Sequence, residues 1–273
     1  MLGILKESVH ITNKYIILAT PLILFSLLST IYLVLSAGGT NLGIFISVIL
    51  YFLMFAAFLS GWFFMVVKSV KNTEEDEPNG LIKCFTEGVG EYFLSSVVCI
   101  LISLFVGTIL FVFSTYIGYK LIGNPNVSAQ ALSSAIVSVD AMKSFLLSLS
   151  SEQLMKINLW NLLLFATISF VYFDILFYPA ALFFKTKNPI KAFLYSQKDL
   201  FSRHFFKNAA LYIFLFVLYF IISILAVLGG KNIVMHFLFT LVNFYFMVYA
   251  AVLVFNYYYS HYMKIGSKID EVI

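Results

Sequence analysis

The fold is decided by the stretch LWNLLLFATISFVYFDILFYPAALFF at 159–184 and its continuation KTKNPIKAFLYSQKDLFSRHFFKN at 185–208. The first half is apolar and exceeds the ~20 residues that a helix needs to cross a bilayer. The second half carries six of the seventeen basic residues, placed among aromatic and aliphatic residues at helical spacing. The stretch therefore predicts a membrane span followed by a basic helix that lies on the membrane surface.

The composition of the whole chain agrees with a membrane protein. Of its 273 residues, 62% are hydrophobic and 11% are charged, against roughly 25% charged residues in soluble domains. The mean hydropathy is +0.97. The net charge of +4 comes from bases that border apolar runs. We interpret these bases as orientation signals, and we expect no nucleic-acid partner.

Six apolar runs predict an all-α bundle of six transmembrane helices with amphipathic helices at the membrane interface. The run from Tyr15 to Leu35 exceeds the roughly 7–15 residues of a signal-peptide core, so we expect it to be retained as a span. We predict one integral membrane domain over 1–273 with an outer segment at 120–158. The predicted spans are 15–36, 44–67, 92–118, 159–184, 208–228 and 233–262.

Two helix starts have recognisable capping residues. Asn188 is a favourable N-cap, and Pro189 after it suits the first turn of a helix. Ser150 and Gln153 have the spacing of a capping box, in which each side chain binds the other residue's backbone N–H. These pairs predict that one helix begins after residue 188 and another after residue 150.

Amphipathic segments precede the first, third and fifth spans. Residues 81–93 align with residues 189–201 at a constant offset of 108; the identical positions are Ile82 and Ile190, Lys83 and Lys191, Phe85 and Phe193, and Phe93 and Phe201. Glu91 and Asp199 are similar. The pattern predicts three parallel repeats, each with a surface helix, a span, an outer turn and a second span. The tyrosines at 257–262 are interpreted as an aromatic belt at the headgroups.

The distribution of bases predicts that both termini are cytoplasmic, because cytoplasmic loops are enriched in Lys and Arg. Segments assigned outside carry four bases, Lys120, Lys143, Lys156 and Lys231. Segments assigned inside carry thirteen bases: Lys6, Lys14, Lys68, Lys71, Lys83, Lys185, Lys187, Lys191, Lys198, Arg203, Lys207, Lys264 and Lys268.

The sequence carries no recognisable catalytic signature. HExxH, CxxC, GxSxG and phosphate-loop patterns are absent, so we expect no catalytic residues, no cofactor and no enzymatic activity. The four histidines, at 10, 204, 236 and 261, are assigned to interfaces on both sides, so no shared metal site is predicted. Cys84 and Cys99 are placed in a cytoplasmic segment and in a span, which argues against a disulfide.

Asp174 is the exception, because a carboxylate near the bilayer centre costs about 2.5–3.5 kcal/mol on insertion scales. It should therefore face the bundle interior or stay protonated. Tyr178 and Asn243 are candidate partners for an intramembrane polar site, with Ser47 or Ser60 as further ones. One interpretation is a hydrogen-bonded contact between helices. The alternative is a site for proton- or cation-coupled transport.

The block FYPAALFFKTKNPIKAFLYSQKDLFSRHFFKNAALYIFLFVLYF at 177–220 resembles a block in bacterial six-span membrane proteins of unassigned function. That group includes the membrane domain attached to some glycerophosphodiester phosphodiesterases. The shared features are a proline near the end of span four, a short basic loop and a surface helix with Ala192 and Ser196. The resemblance implies a bacterial cytoplasmic membrane and a lipid-linked role, and no catalytic residues carry over.

These observations favour a non-enzymatic multi-pass protein that acts in scaffolding, partner binding or lipid organisation. Its expected partners are membrane lipids and either another membrane protein or a second copy of the chain. The alternative is a transporter of a small solute or lipid that uses Asp174. The candidate contacts for anionic lipid are Lys185, Lys187, Lys191, Lys198, Arg203 and Lys207.

Overall fold

A computed structural model describes residues 1–36, 40–71, 80–135, 137–229 and 232–263, and these residues form helices and turns without a strand. A 3₁₀ turn at Ile16–Leu18 precedes the second helix, and a π-helical turn at Tyr259–Met263 follows the last one. The helices are α1 Leu2–Lys14, α2 Ala19–Ser36, α3 Asn41–Lys71, α4 Gly80–Leu121, α5 Ala129–Ala135, α6 Val139–Ser148, α7 Ser151–Asp174, α8 Tyr178–Phe184, α9 Pro189–Leu200, α10 Phe205–Gly229 and α11 Ile233–Tyr258.

Six helical stretches are long and apolar enough to cross a membrane, which confirms the predicted all-α membrane bundle. Four of them start and end within a few residues of the predicted spans. The third and fourth begin earlier than predicted. The six stretches are Ile16–Ser36, Asn41–Lys71, Gly80–Leu121, Ser151–Phe184, Phe205–Val227 and Val234–Met263.

The segment 81–93 differs from the separate surface helix that the repeat predicts. It is the first part of α4, which continues without a break into span three. The segment contains no proline, and its two glycines do not interrupt the helical hydrogen bonds. By contrast, α9 begins at Pro189 and is separated from α10 by the turn at 201–204. The two aligned segments therefore have different boundaries.

Both predicted caps are confirmed. The Asn188 side chain accepts a hydrogen bond from the backbone N–H of Lys191 at 3.1 Å, and Pro189 is the first residue of α9. Ser150 and Gln153 form the reciprocal pair, at 3.0 Å from the Ser150 N–H to Gln153 Oε1 and 3.2 Å from the Gln153 N–H to Ser150 Oγ. Each cap satisfies N–H groups that the first turn of a helix leaves without partners.

The chain divides by its contacts into two compact units, where the sequence predicts one domain. One unit is 103–173, and the other combines 1–102 with 174–273. Within the unit 103–173, Trp160 Nε1 donates to the main-chain oxygen of Gly123 at 2.9 Å. The Trp160 ring also packs on Gly118, where an added Cβ would lie 2.6 Å from it.

The larger unit joins the first helix of the chain to the last. α1 packs along α11, where Asn256 Nδ2 donates to Ser8 Oγ at 3.2 Å in a buried contact. Tyr245 reaches the Asn13 side chain at 2.7 Å. Just beyond α1, Trp62 Nε1 of α3 donates to the main-chain oxygen of Leu18 at 2.9 Å. The first and last of the described α-helices therefore belong to one packed core.

Helices α3 and α4 cross closely at two glycines. A Cβ on Gly88 would lie 2.5 Å from Phe64 Cβ and 2.8 Å from the main-chain oxygen of Ser60. A Cβ on Gly61 would lie 2.6 Å from the Phe85 ring. Small residues of this kind let membrane helices approach at backbone distance. Gly90, one half-turn further along α4, has no atom within 4 Å of its Cβ position.

Replacing Gly88 by alanine should destabilise the protein, whereas replacing Gly90 should not. The new methyl group of Gly88→Ala meets backbone that cannot move aside, and such overpacking costs about 1–3 kcal/mol. Gly90→Ala enters open space and gains up to ~1 kcal/mol of helix propensity. Thermal unfolding of both variants in the same detergent measures the difference. Equal midpoints for the two variants would contradict the close crossing.

Candidate functional site

Span four is interrupted directly after Asp174. α7 ends at Asp174, residues 175–177 form a turn, and α8 begins at Tyr178 with Pro179 in its first turn. Inside a continuous helix the proline ring would clash with the carbonyl of Ile175, four residues earlier, and could not donate to it. Asp174 therefore lies at a helix end, whereas the sequence predicts it inside an unbroken span.

Asp174 also lies beside α9, the helix that the sequence predicts at the membrane surface. The side-chain amide of Gln197, in the surface helix α9, donates to the main-chain oxygen of Asp174 at 3.0 Å. The Asp174 residue is 8% exposed. Since α9 is a short polar helix and not a span, this contact puts Asp174 at the level of α9. Pro179 is the feature of the sequence that indicates a helix end near Asp174.

The three residues of the predicted intramembrane site do not form a common site. The Tyr178 hydroxyl donates to the main-chain oxygen of Pro189 at 3.1 Å, and no hydrogen bond between described residues joins it to Asp174. Asn243 is 14 residues before Tyr257 in α11, about 21 Å along the helix axis. The Tyr257 ring stacks on Phe177, next to Tyr178. Asn243 therefore lies far from the end of span four.

Asp199, in the last turn of α9, is the centre of a buried polar cluster. Its Oδ2 atom lies 2.7 Å from Lys185 Nζ and 2.5 Å from the hydroxyl of Tyr258. The Lys185 and Asp199 side chains are 21% and 12% exposed, and Tyr258 is fully buried. We call the set Lys185, Asp199, Asn208, Tyr257, Tyr258 and Tyr262 the Asp199 cluster.

Asn208 closes the end of α9 from the first turn of α10. Its Nδ2 atom donates to the main-chain oxygens of Asp199 at 3.1 Å and Leu200 at 2.9 Å, two carbonyls that the helix end leaves without a partner. Its Oδ1 atom accepts from the hydroxyls of Tyr257 at 2.9 Å and Tyr262 at 3.0 Å. Asn208 therefore ties α9, α10 and the end of span six together.

The Lys185 ammonium group lies among aromatic rings as well as beside a carboxylate. Its distances to the ring centroids are 5.4 Å for Tyr258, 5.6 Å for Tyr195 and 5.9 Å for Tyr262. Electron-rich ring faces attract a cation within about 6 Å. The carboxylate and the rings together compensate for the partial loss of water around this charge.

The loop 185–188 is also held from its other side by α4. Ser95 Oγ donates to the main-chain oxygen of Lys187 at 2.7 Å, and Lys187 Nζ lies 3.0 Å from the Glu91 carboxylate. The hydrogen bond and charge of Glu91 hold the pKa of Lys187 above its usual range. Glu91 and Asp199 are the similar positions of the two aligned segments, and each binds one lysine of this loop.

The six candidate lipid-binding bases separate into three groups. Lys185 belongs to the Asp199 cluster, and Lys187 is paired with Glu91 at the surface. The remaining four are exposed: Lys191, Lys198, Arg203 and Lys207. Two of the six predicted contacts are therefore engaged within the protein.

Both surface helices turn an unexpected face to the protein. On α9 the buried residues are Ala192, Ser196, Asp199 and Leu200. On α1 they are Ser8, Ile11 and Thr12. Large apolar residues such as Leu2 at 76% and Ile190 at 63% are exposed instead. Small and polar residues make up most of each buried face because they allow close helix contact, and several bulky apolar residues are left for lipid.

The sequence interpretation missed the Asp199 cluster for identifiable reasons. Asp199 is assigned to the polar outer face of α9, and the tyrosines at 257–262 are interpreted as a headgroup belt. That belt assignment is wrong for Tyr257 and Tyr258, which are 1% and 0% exposed. The available signal was the i, i+4, i+7 series Ala192, Ser196 and Asp199, which places an acid on a face of small residues.

Metal chemistry has no visible basis in the described residues. No group of three or more His, Cys, Asp or Glu side chains among them could hold a metal ion. His204 and His261, which the sequence assigns to scattered sites, are neighbours with ring centroids 5.9 Å apart. Cys84 and Cys99 are not joined in a disulfide.

Comparison with family models, with curated proteins and with solved structures gives no match to this chain. The arrangement defines the class of protein as a helical membrane protein with six candidate spans and a buried ion-pair cluster at the ends of four helices. The resemblance at 177–220 to bacterial six-span proteins stays an expectation from the sequence.

Removing the lysine of the buried pair should destabilise the protein far more than removing its neighbour. Lys185→Met keeps much of the side-chain volume but leaves Asp199 without its counter-ion, and breaking a buried ion pair costs about 3–5 kcal/mol. Partial exposure of this pair favours about 3 kcal/mol, the low end. Lys187→Met, two residues away, breaks a pair in which both side chains are about half exposed, so its unfolding midpoint should stay near wild type.

Unfolding of the two variants, followed by thermal melting in one detergent, tests this difference. Lys185→Met together with Asp199→Leu serves as a further control, because it removes both charges and should recover much of the lost stability. Equal destabilisation by Lys185→Met and Lys187→Met would show that the Asp199 cluster does not hold these helix ends together.

Proposed function

We propose that the protein organises anionic lipid at the cytoplasmic surface of the membrane and has no catalytic activity. The single observation that carries the proposal is the set of exposed bases along α9, the turn after it and the first turn of α10: Lys191, Lys198, Arg203 and Lys207. A base near an anionic surface contributes about 1 kcal/mol to binding. Four bases on one short segment therefore favour a surface rich in anionic headgroups.

The apolar residues of α9 support the same function. Ile190, Leu194 and Phe201 are 63%, 61% and 53% exposed. An exposed apolar side beside exposed bases is the pattern of a helix that lies in the membrane interface. The long lysine stems cover apolar surface while their ammonium groups reach the headgroups. The same helix thus offers contacts for both parts of a lipid.

Local electrostatics at the end of α9 also favour an anionic ligand. Partial burial, and then the charges of Arg203 and Lys207, hold the pKa of His204 below its usual range. The two exposed bases Arg203 and Lys207 make the surface beside His204 positive. Anions are attracted to such a surface, with a strength that falls as the salt concentration rises.

The interior supports a binding role over a chemical one. The polar atoms of the Asp199 cluster bind one another and the ends of α9 and α10. The negative charge of Asp199 is paired with Lys185, and its Oδ2 atom accepts a hydrogen bond from the Tyr258 hydroxyl. A satisfied cluster of this kind stabilises one arrangement of helix ends. Its contribution to the proposed function is to fix α9 at the surface.

Charge reversal on α9 should weaken the retention of anionic lipid. Lys191→Glu with Lys198→Glu removes two favourable contacts of about 1 kcal/mol each, which corresponds to roughly 30-fold weaker binding. The matched control is Lys120→Glu with Lys143→Glu, which changes the net charge equally at exposed positions elsewhere. The measurement is the ratio of phosphatidylglycerol to phosphatidylcholine that stays with the purified protein. Equal ratios for the two double variants would show that the bases of α9 do not bind anionic lipid and serve only to orient the protein in the membrane.

The proposed orientation places both ends of the chain in the cytoplasm. Its support is the excess of bases, thirteen against four, in the segments assigned inside. Lys231, Lys264 and Lys268 in that count lie outside the described residues. A further inference from the resemblance at 177–220 is that the membrane is the bacterial cytoplasmic membrane.

Thiol labelling on intact cells measures the orientation. In a background with Cys84→Ser and Cys99→Ala, single cysteines replace the exposed Lys143 of α6 or the exposed Lys191 of α9. We expect a membrane-impermeant thiol reagent to label Lys143→Cys on intact cells, and Lys191→Cys only after the cells are opened. The opposite pattern would reverse the orientation and remove the cytoplasmic headgroups from the proposal.

Transport is the second candidate function, and one observation favours it. Span four is interrupted at Asp174, and transporters place substrate or ion sites at broken helices. If Asp174 must take up and release a proton, Asp174→Asn should fold normally and abolish proton-coupled flux, because an amide does not titrate in this range. Under the lipid proposal, the same variant should fold and leave the proton leak of liposomes unchanged. The paired measurement is thermal stability in detergent and pH-gradient decay in liposomes.

A further inference from the structure

A groove with a cavity of about 510 Å³ lies among α2, α3 and the first turns of α4. Its lining is almost entirely apolar and includes Leu24 and Leu28 of α2, Met54 and Met65 of α3, and Ile82 and Phe85 of α4. Leu24, Leu28 and Ile82 are each more than half exposed, so the groove is accessible from the side that faces lipid. One wall forms where Phe85 packs on Gly61 at the crossing of α3 and α4.

The length of the groove matches one leaflet of a bilayer. Met54 and Met65 are 11 residues apart in α3, or about 16 Å along the helix axis. Half of the ~30 Å hydrocarbon core is about 15 Å, which is the depth that one lipid acyl chain fills. The groove therefore follows the helices from one end of the spans to about the middle of the membrane.

The polarity of the groove changes along its length. Thr20 and Thr86 lie at the end where α2 and α4 begin, and they carry the hydroxyl groups of the lining. Leu28 of α2 and Met54 of α3, deeper along the groove, are apolar. A glycerophospholipid has the same order, with ester oxygens near the surface and methylene groups below them. Methionine side chains adapt easily to a flexible chain.

We propose that this groove binds one acyl chain of a glycerophospholipid, with the ester region beside Thr20 and Thr86. The proposal rests on the lipid role proposed above, because it specifies which part of the lipid the protein binds. It uses different residues from the headgroup contacts of α9. The two parts can therefore fail separately.

The test fills the groove with a side chain. Ala57, on α3, lines the groove between Met54 and Phe58, and Ala57→Phe places a phenyl ring in the space of the acyl chain. Ala210→Phe on α10 is the matched control, because Ala210 is exposed within a span. Each protein is reconstituted in phosphatidylcholine vesicles that contain a trace of phosphatidylcholine with a diazirine at the middle of one chain. Irradiation is followed by mass spectrometry of the labelled peptides.

We expect labelling of the wild-type protein to concentrate at Leu28 and Met54, which line the deeper part of the groove, and to fall at least fivefold there in Ala57→Phe but not in Ala210→Phe. Labelling spread evenly over all lipid-facing helices of the wild type would overturn the proposal, even if Ala57→Phe failed to fold. Equal labelling of the groove in both variants would also overturn it. If a helix of another molecule filled the groove, the acyl chain would be excluded and the groove of the wild type would not be labelled. That result would also overturn the proposal.

The vesicles contain no anionic lipid, so the outcome does not depend on the bases of α9. Groove labelling without retention of anionic lipid would leave the acyl-chain site and remove the proposed headgroup function. Retention without groove labelling would do the reverse.

Discussion

The carboxylate of Asp199 is the group on which the arrangement of the larger unit depends. An acid with so little access to water is stable only with a counter-ion and hydrogen-bond donors, and Lys185 and Tyr258 supply them. Lys185 follows span four, and Tyr258 ends span six. The requirement of one side chain therefore fixes α8, α9 and α11 relative to one another, while Asn208 adds α10 through the carbonyls at the end of α9.

In α1 and α9 the face that packs against the protein differs from the one that an amphipathic helix buries in water. In water the bulky apolar face packs inward, because burial removes it from solvent. Beside a membrane, lipid accepts that face, and contact between helices selects small and hydroxylated residues instead. Ser8 against Asn256 on one side of the unit, and Ser196 on the buried face of α9, both follow this rule. The exposed leucines and isoleucines of these helices are then suited to the interface.

The spans and caps could be predicted from the sequence because they depend on local chemistry. An apolar run of sufficient length, an asparagine before a proline, and a serine three residues before a glutamine act within one or two helical turns. The polar cluster could not be predicted, since Asp199 and Tyr258 are 59 residues apart and meet only when four helix ends converge. Asp174 lies at the end of α7 and not inside an unbroken helix, because Pro179 cannot continue the helical hydrogen bonds. The aligned segments 81–93 and 189–201 share residues but differ at their ends, because the first continues into span three and the second is followed by the turn at 201–204.

The contacts of α11 have a consequence for the order in which the chain can be completed during synthesis. Ser8, at the very beginning, finds its partner in Asn256, and Asp199 receives its tyrosine hydroxyl only from Tyr258. Both contacts wait for the last span. Until that span has entered the membrane, Ser8 and Asp199 lack these two hydrogen-bond partners. Closure of the larger unit is thus a single late event, and the nascent protein remains open along the side that α11 will occupy.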